Sequence, residues 1–266
     1  MKEYFPNDIY KTSVKQRKFF GDLLFFKSRI YFYILLLKRI ISSSIFSAKK
    51  GLYSSARWAS DSFDIHGFVE GCGGICEFSG LDNIRKVKNE PVVFIGNHMG
   101  LIETLLLPSI IVPVKPALFI IKDSLVKQPF FGDIMKATDP IVVGRTNPRD
   151  DLKLVLEEGA KKLKEGKSVI IFPQSTRSSV FKRDRFNSLG IKLAKNAGVK
   201  IVPIALKTDF IENGKHLRDF GKLNREKTVY IKFGSPVTIK ENGKTEHEKV
   251  ISFIVDNLKH WKAEVI

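Results

Sequence analysis

Cysteine is nearly absent. Cys72 and Cys76, in the run CGGIC, are the two in 266 residues. That excludes a disulfide framework for a chain of this size and fits a reducing compartment. His66 lies just upstream of the pair, but a fourth ligand is missing and the spacing matches no common zinc pattern, so no metal is expected. No HExxH occurs either, which argues against a zinc hydrolase. Long apolar runs are also missing. The longest uninterrupted one, Ile30 to Leu37, falls well short of the roughly 18 to 20 residues that cross a bilayer. Neither internal repeats nor low-complexity segments occur. The apolar stretch comes too late for a signal peptide, and no small-residue cleavage site follows it cleanly. Acidic charge is scarce: 28 Asp and Glu stand against 45 Lys and Arg, a net charge of +17. Such an excess asks for an anionic partner: a phospholipid surface, a phosphorylated substrate or nucleic acid.

The distribution of charge chooses among these. Residues 1 to 50 carry eleven Lys and Arg against Glu3, Asp8 and Asp22, a net +8. The same stretch holds Phe19-Phe20, Leu23 to Phe26 and Ile30 to Leu37. Basic residues mixed with large apolar runs suit an anionic bilayer better than a duplex, so no nucleic acid is expected. Residues 1 to 18 read as a mobile arm. Residues 19 to 48 read as a helix lying in one leaflet, with Lys27, Arg29, Lys38 and Arg39 at head-group level. The alternatives are a helix buried in a soluble core, or a true span of residues 23 to 46. The expected location is membrane-associated, on the cytoplasmic face.

Residues 44 to 62 have the pattern of a second helix, and the Gly-rich stretch 65 to 80 suggests a strand with a bulge. A composition shift near residue 62 divides a basic apolar N-terminal helical module, 1–62, from a body, 63–266. In the body, apolar β-rich runs recur at 92–95, 117–121, 140–143, 168–172, 200–206 and 228–233. Helical patterns lie at 101–112, 149–165, 185–197 and 244–262. Short apolar strands alternating with helices predict an α/β fold with a mostly parallel sheet flanked by helices.

The chemistry concentrates at strand ends, where open α/β sheets place their ligands. After the run Val92 to Ile95 comes Asn97-His98-Met99-Gly100-Leu101-Ile102-Glu103. An imidazole can act as a base near neutral pH, and a carboxylate on its other nitrogen fixes the tautomer. Five residues along a continuous helix turn through about 500°, so the two would not share a face. A working pair therefore needs His98 in the turn before the helix and Glu103 in its first turn or two. The plainer alternative is a helix start with an incidental His and a solvated Glu. Two further loops follow apolar strands. Phe172-Pro173-Gln174-Ser175-Thr176-Arg177-Ser178 offers N–H groups, hydroxyls and a guanidinium for an anion. Gly144-Arg145-Thr146-Asn147 offers a second arginine. In a parallel sheet all three loops can share one rim. Pro203, inside the strand 200–206, either shapes a wall of that site or marks a sheet edge.

NHMGLIE followed about 75 residues later by FPQSTRS, with the Gly144-Arg145 and Val202-Pro203 blocks, resembles the glycerolipid acyltransferases, the 1-acylglycerol-3-phosphate acyltransferase family. Their pattern is His, four residues, an acidic residue; then a Gly/Arg block; then FPEGTRS; then a Val-Pro block. All four occur in order between residues 97 and 204, while residues 1–62 match in character alone. The resemblance implies a membrane-associated enzyme of phospholipid biosynthesis. It would move an acyl group from acyl-CoA or acyl-carrier protein to a lysophospholipid, with 1-acyl-sn-glycerol-3-phosphate as the first choice of acceptor. His98 would be the general base, oriented by Glu103, and the acceptor hydroxyl would attack the thioester directly. Arg145 and Arg177 would hold the acceptor phosphate. Asn97, Gly144, Ser175 and Thr176 would help to form the substrate site, and Pro203 would lie on the acyl-donor side. Neither metal nor cofactor is implied.

Three positions depart from the family pattern. Glu103 replaces Asp and is one methylene longer. Gly100 stands where Ser is common, losing a hydroxyl but easing a tight turn. Gln174-Ser175 replaces Glu-Gly and removes a negative charge. These leave the reaction type intact and open the choice of acceptor to another lysophospholipid or lipid hydroxyl. A non-catalytic lipid-binding protein of the same fold is the alternative from another class. Backbone N–H groups after His98 are the sole oxyanion donors in view.

Overall fold

A computed structural model describes residues 1–13, 15, 18–174, 176–214 and 219–266. The chain runs β1 (Tyr10–Lys11), α1 (Phe20–Leu24), α2 (Arg29–Phe46), α3 (Ser55–Gly71), β2 (Cys76–Ser79), α4 (Asp82–Arg85), β3 (Val92–Gly96) and α5 (Ile102–Ile111). It continues β4 (Ala117–Lys122), α6 (Asp123–Val126), α7 (Phe131–Ala137), β5 (Ile141–Val143), α8 (Pro148–Lys164) and β6 (Ser168–Ile171). It closes with α9 (Leu189–Ala197), β7 (Lys200–Lys207), β8 (Val229–Phe233) and α10 (Lys244–His260). The strands form one sheet in the order β1-β2-β8-β7-β3-β6-β4-β5. Pairing is parallel except at β1–β2 and β7–β8.

The strand sequences explain why the sheet is covered on both faces. Alternate residues of a strand point to opposite sides. Val92 and Phe94 of β3 join one core with Ile170, Val202 and Ile204, under α2, α3, α5 and α7. Val93 and Ile95 join the other with Val169, Ile171 and Ile201, under α8, α9 and α10. Both sets are buried, so the strands read as unbroken apolar runs. All six runs found in the sequence are strands, within a residue or two at each end.

Helix α5 is held against α3 by a substitution in its own ladder. Pro108 lies inside it. The Ser62 hydroxyl of α3 donates to Leu105 O at 2.6 Å and accepts from Ser109 N at 2.9 Å. Side-chain insertion of this kind keeps the backbone groups beside a helical proline satisfied.

The N-terminal fifth differs from expectation. Residues 1 to 13 are not a free arm: β1 pairs with β2, and Phe5 is buried among Tyr10, Phe63, His66 and Phe78. These aromatic residues anchor the strap despite its polar neighbours. The helix expected over 44–62 is in fact two elements. α2 ends at Phe46, Gly51 turns the chain in the left-handed region at φ 69°, and Ser54 caps α3 by accepting from Arg57 N. α3 then runs straight through residue 62, where the sequence suggested a boundary, and through much of the stretch read as a bulged strand. Ile65, His66, Val69 and Glu70 are buried at helical spacing, and strand geometry begins at Cys76.

Pro203 is not at a sheet edge: it lies within the parallel β3–β7 ladder, in register with Ile95. β7 lies between β3 and β8. Beyond Ile204↔Phe233 the β8 ladder ends, and Pro203 O accepts from Gly234 N at 2.8 Å. The missing N–H thus faces a point where pairing is already interrupted.

Candidate active site

β3, β4, β5, β6 and β7 run parallel to their neighbours from β7 across to β5, so their C-terminal ends share one rim. β3 ends at Gly96, and the next residue keeps the sheet together where the backbone turns away. Asn97 Nδ2 donates to Leu206 O at 2.7 Å and Asn97 Oδ1 accepts from Leu206 N at 2.8 Å. The amide copies the next rung of the ladder. Asn97 is 1% exposed, so it is placed to position the loop rather than to contact substrate.

His98 lies in the loop before α5, and Glu103 in the first turn of that helix. His98 Nδ1 is 2.8 Å from Glu103 Oε1. The same oxygen accepts from Met99 N at 2.7 Å and Gly100 N at 2.8 Å, while Oε2 accepts from the Thr208 hydroxyl at 2.5 Å. The extra methylene over Asp is absorbed here. The side chain reaches back over the helix start, as a capping carboxylate does, where the helix dipole favours negative charge. Glu103 is fully buried. Burial alone would raise its pKa, but the bond and charge of His98, the Thr208 hydroxyl and Gly100 N–H together hold it below the ordinary 4.5. An ionised acceptor on Nδ1 places the proton there and leaves Nε2 with its lone pair.

Three other residues hold His98, one through its ring and two through its backbone. Phe172 stacks on it, with centroids 4.6 Å apart and planes 10° apart. Gln174 Oε1 accepts from His98 N at 2.7 Å, and His98 O accepts from Ser178 N at 2.9 Å. The loop after β6 is thus fastened to the loop after β3. Gln174 at this position supplies the acceptor oxygen without a charge. Gly100 does not adopt a positive φ, and a Cβ added to it would meet nothing nearer than 3.6 Å. The turn therefore does not demand glycine. Met99 N and Gly100 N are committed to Glu103, so these N–H groups do not serve as oxyanion donors.

The phosphate-binding candidates fall into two groups. Arg177 is close, on the loop after β6, and its guanidinium is ion-paired with Asp219. Asp219 belongs to the β7–β8 connection. Asn213 of that connection donates to Met99 O at 3.2 Å, and α2 grips it through Arg29 to Phe220 O and the Tyr33 hydroxyl to Gly221 O. Thr176 is exposed beside Arg177. Ser175 lies outside the described residues. Gly144 and Arg145 follow β5, three strand positions from β3, about 14 Å across the sheet. Their N–H groups donate to the Asp151 carboxylate at 3.1 and 2.9 Å. They share the rim with His98 but not its immediate surroundings.

Phe172 and Thr208 were not singled out by sequence reasoning, and Gln174 was noted for its lost charge rather than for a bond to His98 N. Gln174 and Phe172 sit inside the FPQSTRS run, whose position after a parallel strand was the available signal. Thr208 lies 105 residues from Glu103, and only the β3–β7 register brings them together.

Residues 75–207, which hold every loop of the rim just described up to the end of β7, match the family model described as Acyltransferase. A Pseudomonas aeruginosa protein named 1-acyl-sn-glycerol-3-phosphate acyltransferase is 36% identical over 129 residues, 48% of each chain. A Borreliella burgdorferi protein of the same name is 27% identical over 180 residues, 68% of each. The match thus spans about half the length of the Pseudomonas relative. The fold is shared with the crystal structure of the 1-acyl-sn-glycerophosphate (LPA) acyltransferase, PlsC, from Thermotoga maritima. The TM-score is 0.69 at 19% identity, over 92% of this chain and 97% of that one. With the matched region covering half of its length and the sheet around it superposing on a solved relative's, the chain belongs to the Acyltransferase family.

Proposed function

We propose that the protein transfers an acyl group from the thioester of acyl-CoA or acyl-carrier protein to the free hydroxyl of 1-acyl-sn-glycerol-3-phosphate, forming phosphatidic acid. The observation that carries this reading is the His98–Glu103 pair, with Nδ1 held by a buried carboxylate and Nε2 left for substrate. Nε2 takes the proton of the acceptor hydroxyl as its oxygen attacks the thioester carbonyl. The C–S bond then breaks, and the proton passes to the departing thiolate. Glu103 stabilises the imidazolium between the two steps. Holding both substrates on one rim supplies the remainder of the acceleration. The names of the relatives point to the same acceptor.

In this reading the acceptor phosphate takes the place of the Asp219 carboxylate on Arg177. Arg145, farther along the rim, meets the more distant anionic groups of a substrate. The Arg177–Asp219 pair also favours one second reading: an acceptor without phosphate, because the guanidinium is already neutralised. Thiol release from acyl-CoA and acyl-carrier protein, in mixed micelles with lysophosphatidate beside a monoacylglycerol, separates the two. Release with lysophosphatidate alone supports the first; release with the monoacylglycerol alone replaces it with the second.

The membrane-facing element is α1–α2. Phe32, Tyr33 and Leu36 of α2 pack into the body, while Ile30, Ile34, Leu37, Ile41 and Ile45 are exposed at three- and four-residue spacing. Phe20, Leu23, Leu24 and Phe26 continue that face. The segment Arg29–Lys50 is long and apolar enough to cross a membrane. However, Arg39 is ion-paired with Asp61 and Asp64 of α3, which ties its middle to the body and removes it from head-group level. An in-plane helix that buries one side in protein and the other in lipid accounts for both faces. Ile34→Glu with Leu37→Glu is expected to release the protein from anionic vesicles in a sedimentation assay.

A further inference from the structure

A second constellation lies away from the rim, where α3, β2 and the N-terminal strap meet. His66 and Glu70 are one turn apart on α3, and Cys76 opens β2. Their ligating atoms all lie within 4.8 Å of one another. His66 and Glu70 are each 3% exposed and Cys76 is wholly buried. His66 Nε2 is 3.4 Å from Glu70 Oε1, yet it has no hydrogen-bond partner among the described residues. A buried nitrogen left in that condition is unusual in a folded protein and asks what else it faces. Glu70 Oε1 is already taken by the Tyr10 hydroxyl at 2.7 Å and the Thr12 hydroxyl at 2.5 Å.

We propose that His66, Glu70 and Cys76 form a buried binding site for one zinc-class divalent ion. The site is independent of acyl transfer and pins the N-terminal strap to the sheet. A tetrahedral ion with bonds of about 2.0–2.1 Å to nitrogen and oxygen has ligand edges of about 3.4 Å, which the His66–Glu70 separation matches. A thiolate, an imidazole and a carboxylate together select zinc over magnesium or calcium. The Tyr10 and Thr12 hydroxyls that donate to Glu70 Oε1 fix the orientation of the carboxylate, as outer groups do around metal ligands. Thr12 also accepts from Cys76 N at 2.7 Å, so the strap, α3 and β2 already converge on this point.

Burial lowers the His66 pKa and keeps the imidazole neutral, its ligating form. Burial raises the Cys76 thiol, so metal binding displaces the Cys76 proton to solvent and leaves the thiolate on the ion. The fourth position falls to water or to a strap hydroxyl. Phe5, Tyr10, Phe63 and Phe78 ring His66, so the ion enters when the strap lifts.

The test uses the untagged full-length chain, stripped with chelator and dialysed. Zn²⁺ is titrated against a chromophoric indicator, Co²⁺ binding is followed by absorption, and Tm is read with and without Zn²⁺. The expected result is one Zn²⁺ per chain and a thiolate-to-cobalt charge-transfer band. Tm should rise by about 5 °C at saturating metal. His66→Gln and Cys76→Ser should each lower the affinity at least about tenfold, while Cys72→Ser, at the other buried cysteine, retains it. Absence of one-to-one binding, or of the charge-transfer band in the wild-type chain, overturns the proposal whether or not the variants fold. So does binding that survives both His66→Gln and Cys76→Ser.

Discussion

Two imidazole–carboxylate pairs occur among the described residues, and their surroundings send them in different directions. His98 and Glu103 sit where a parallel strand hands over to a helix. The carboxylate is fully buried and the imidazole side chain retains 15% of its surface. Four donors hold Glu103, so its charge is compensated and its partner's second nitrogen faces the rim. His66 and Glu70 lie one helical turn apart inside an aromatic cage, with 3% and 4% of their side-chain surface exposed. There the imidazole nitrogen nearest the carboxylate, Nε2, has no hydrogen-bond partner among the described residues, and a thiol lies nearby. The same two groups become a base where one face is open, and ligands where none is. Burial and the next neighbours assign the chemistry, not the residue types alone.

Replacing the shared element tests this contrast most severely. Glu103→Ala strands Met99 N, Gly100 N and the Thr208 hydroxyl, and it is expected to lower both activity and stability, the latter by about 3 kcal/mol in a denaturant titration. The pH dependence follows from the same carboxylate. Its folded pKa is depressed, so its contribution is present above the ordinary 4.5 and is lost as pH falls through the lower folded value. Glu103→Gln should flatten that acid limb of the stability curve; an unaltered limb would assign the acid sensitivity elsewhere. Next in size, Arg177→Ala should raise the KM for a phosphorylated acceptor roughly 10–100-fold and leave the KM of the acyl donor alone. Equal effects on both would remove Arg177 from the acceptor site. His66→Ala, which empties part of the aromatic cage, should cost about 2–3 kcal/mol as read by Tm. The smallest effect is expected at Gly100→Ser, within about 0.5 kcal/mol, because the backbone there is ordinary and a Cβ has room.

How much was legible in the sequence follows the same divide between local and distant causes. β3 to β8 were readable because burial on both faces turns each strand into an unbroken apolar run. Helices α5, α8 and α10 were readable from their spacing between those runs. The pairing of His98 with Glu103 needed only a strand, a turn and a helix start, all local. The strap was missed because Phe5 and Tyr10 find their partners in α3 and β2, more than fifty residues away. α3 was mistaken in part for a strand because Gly67 and Gly71 weaken its pattern and Gly73 and Gly74 follow its end, although His66 and Glu70 at i and i+4 were a helical signal in plain view. Asn97 was expected to touch substrate, but its ladder partner, Leu206, lies 109 residues on. Thr208 escaped notice for the same reason.

The measurement that bears most directly on the central claim is the single-turnover rate of thiol release by His98→Ala, beside wild type, at saturating acyl donor and lysophosphatidate. Far-UV circular dichroism and Tm are recorded on the same samples. If the imidazole held by Glu103 is the base, the rate falls about 10²–10⁴-fold while the fold persists, since His98 sits in a loop at the rim. A folded His98→Ala protein that releases thiol within about threefold of wild type would contradict the account and send the search for the base elsewhere on the rim.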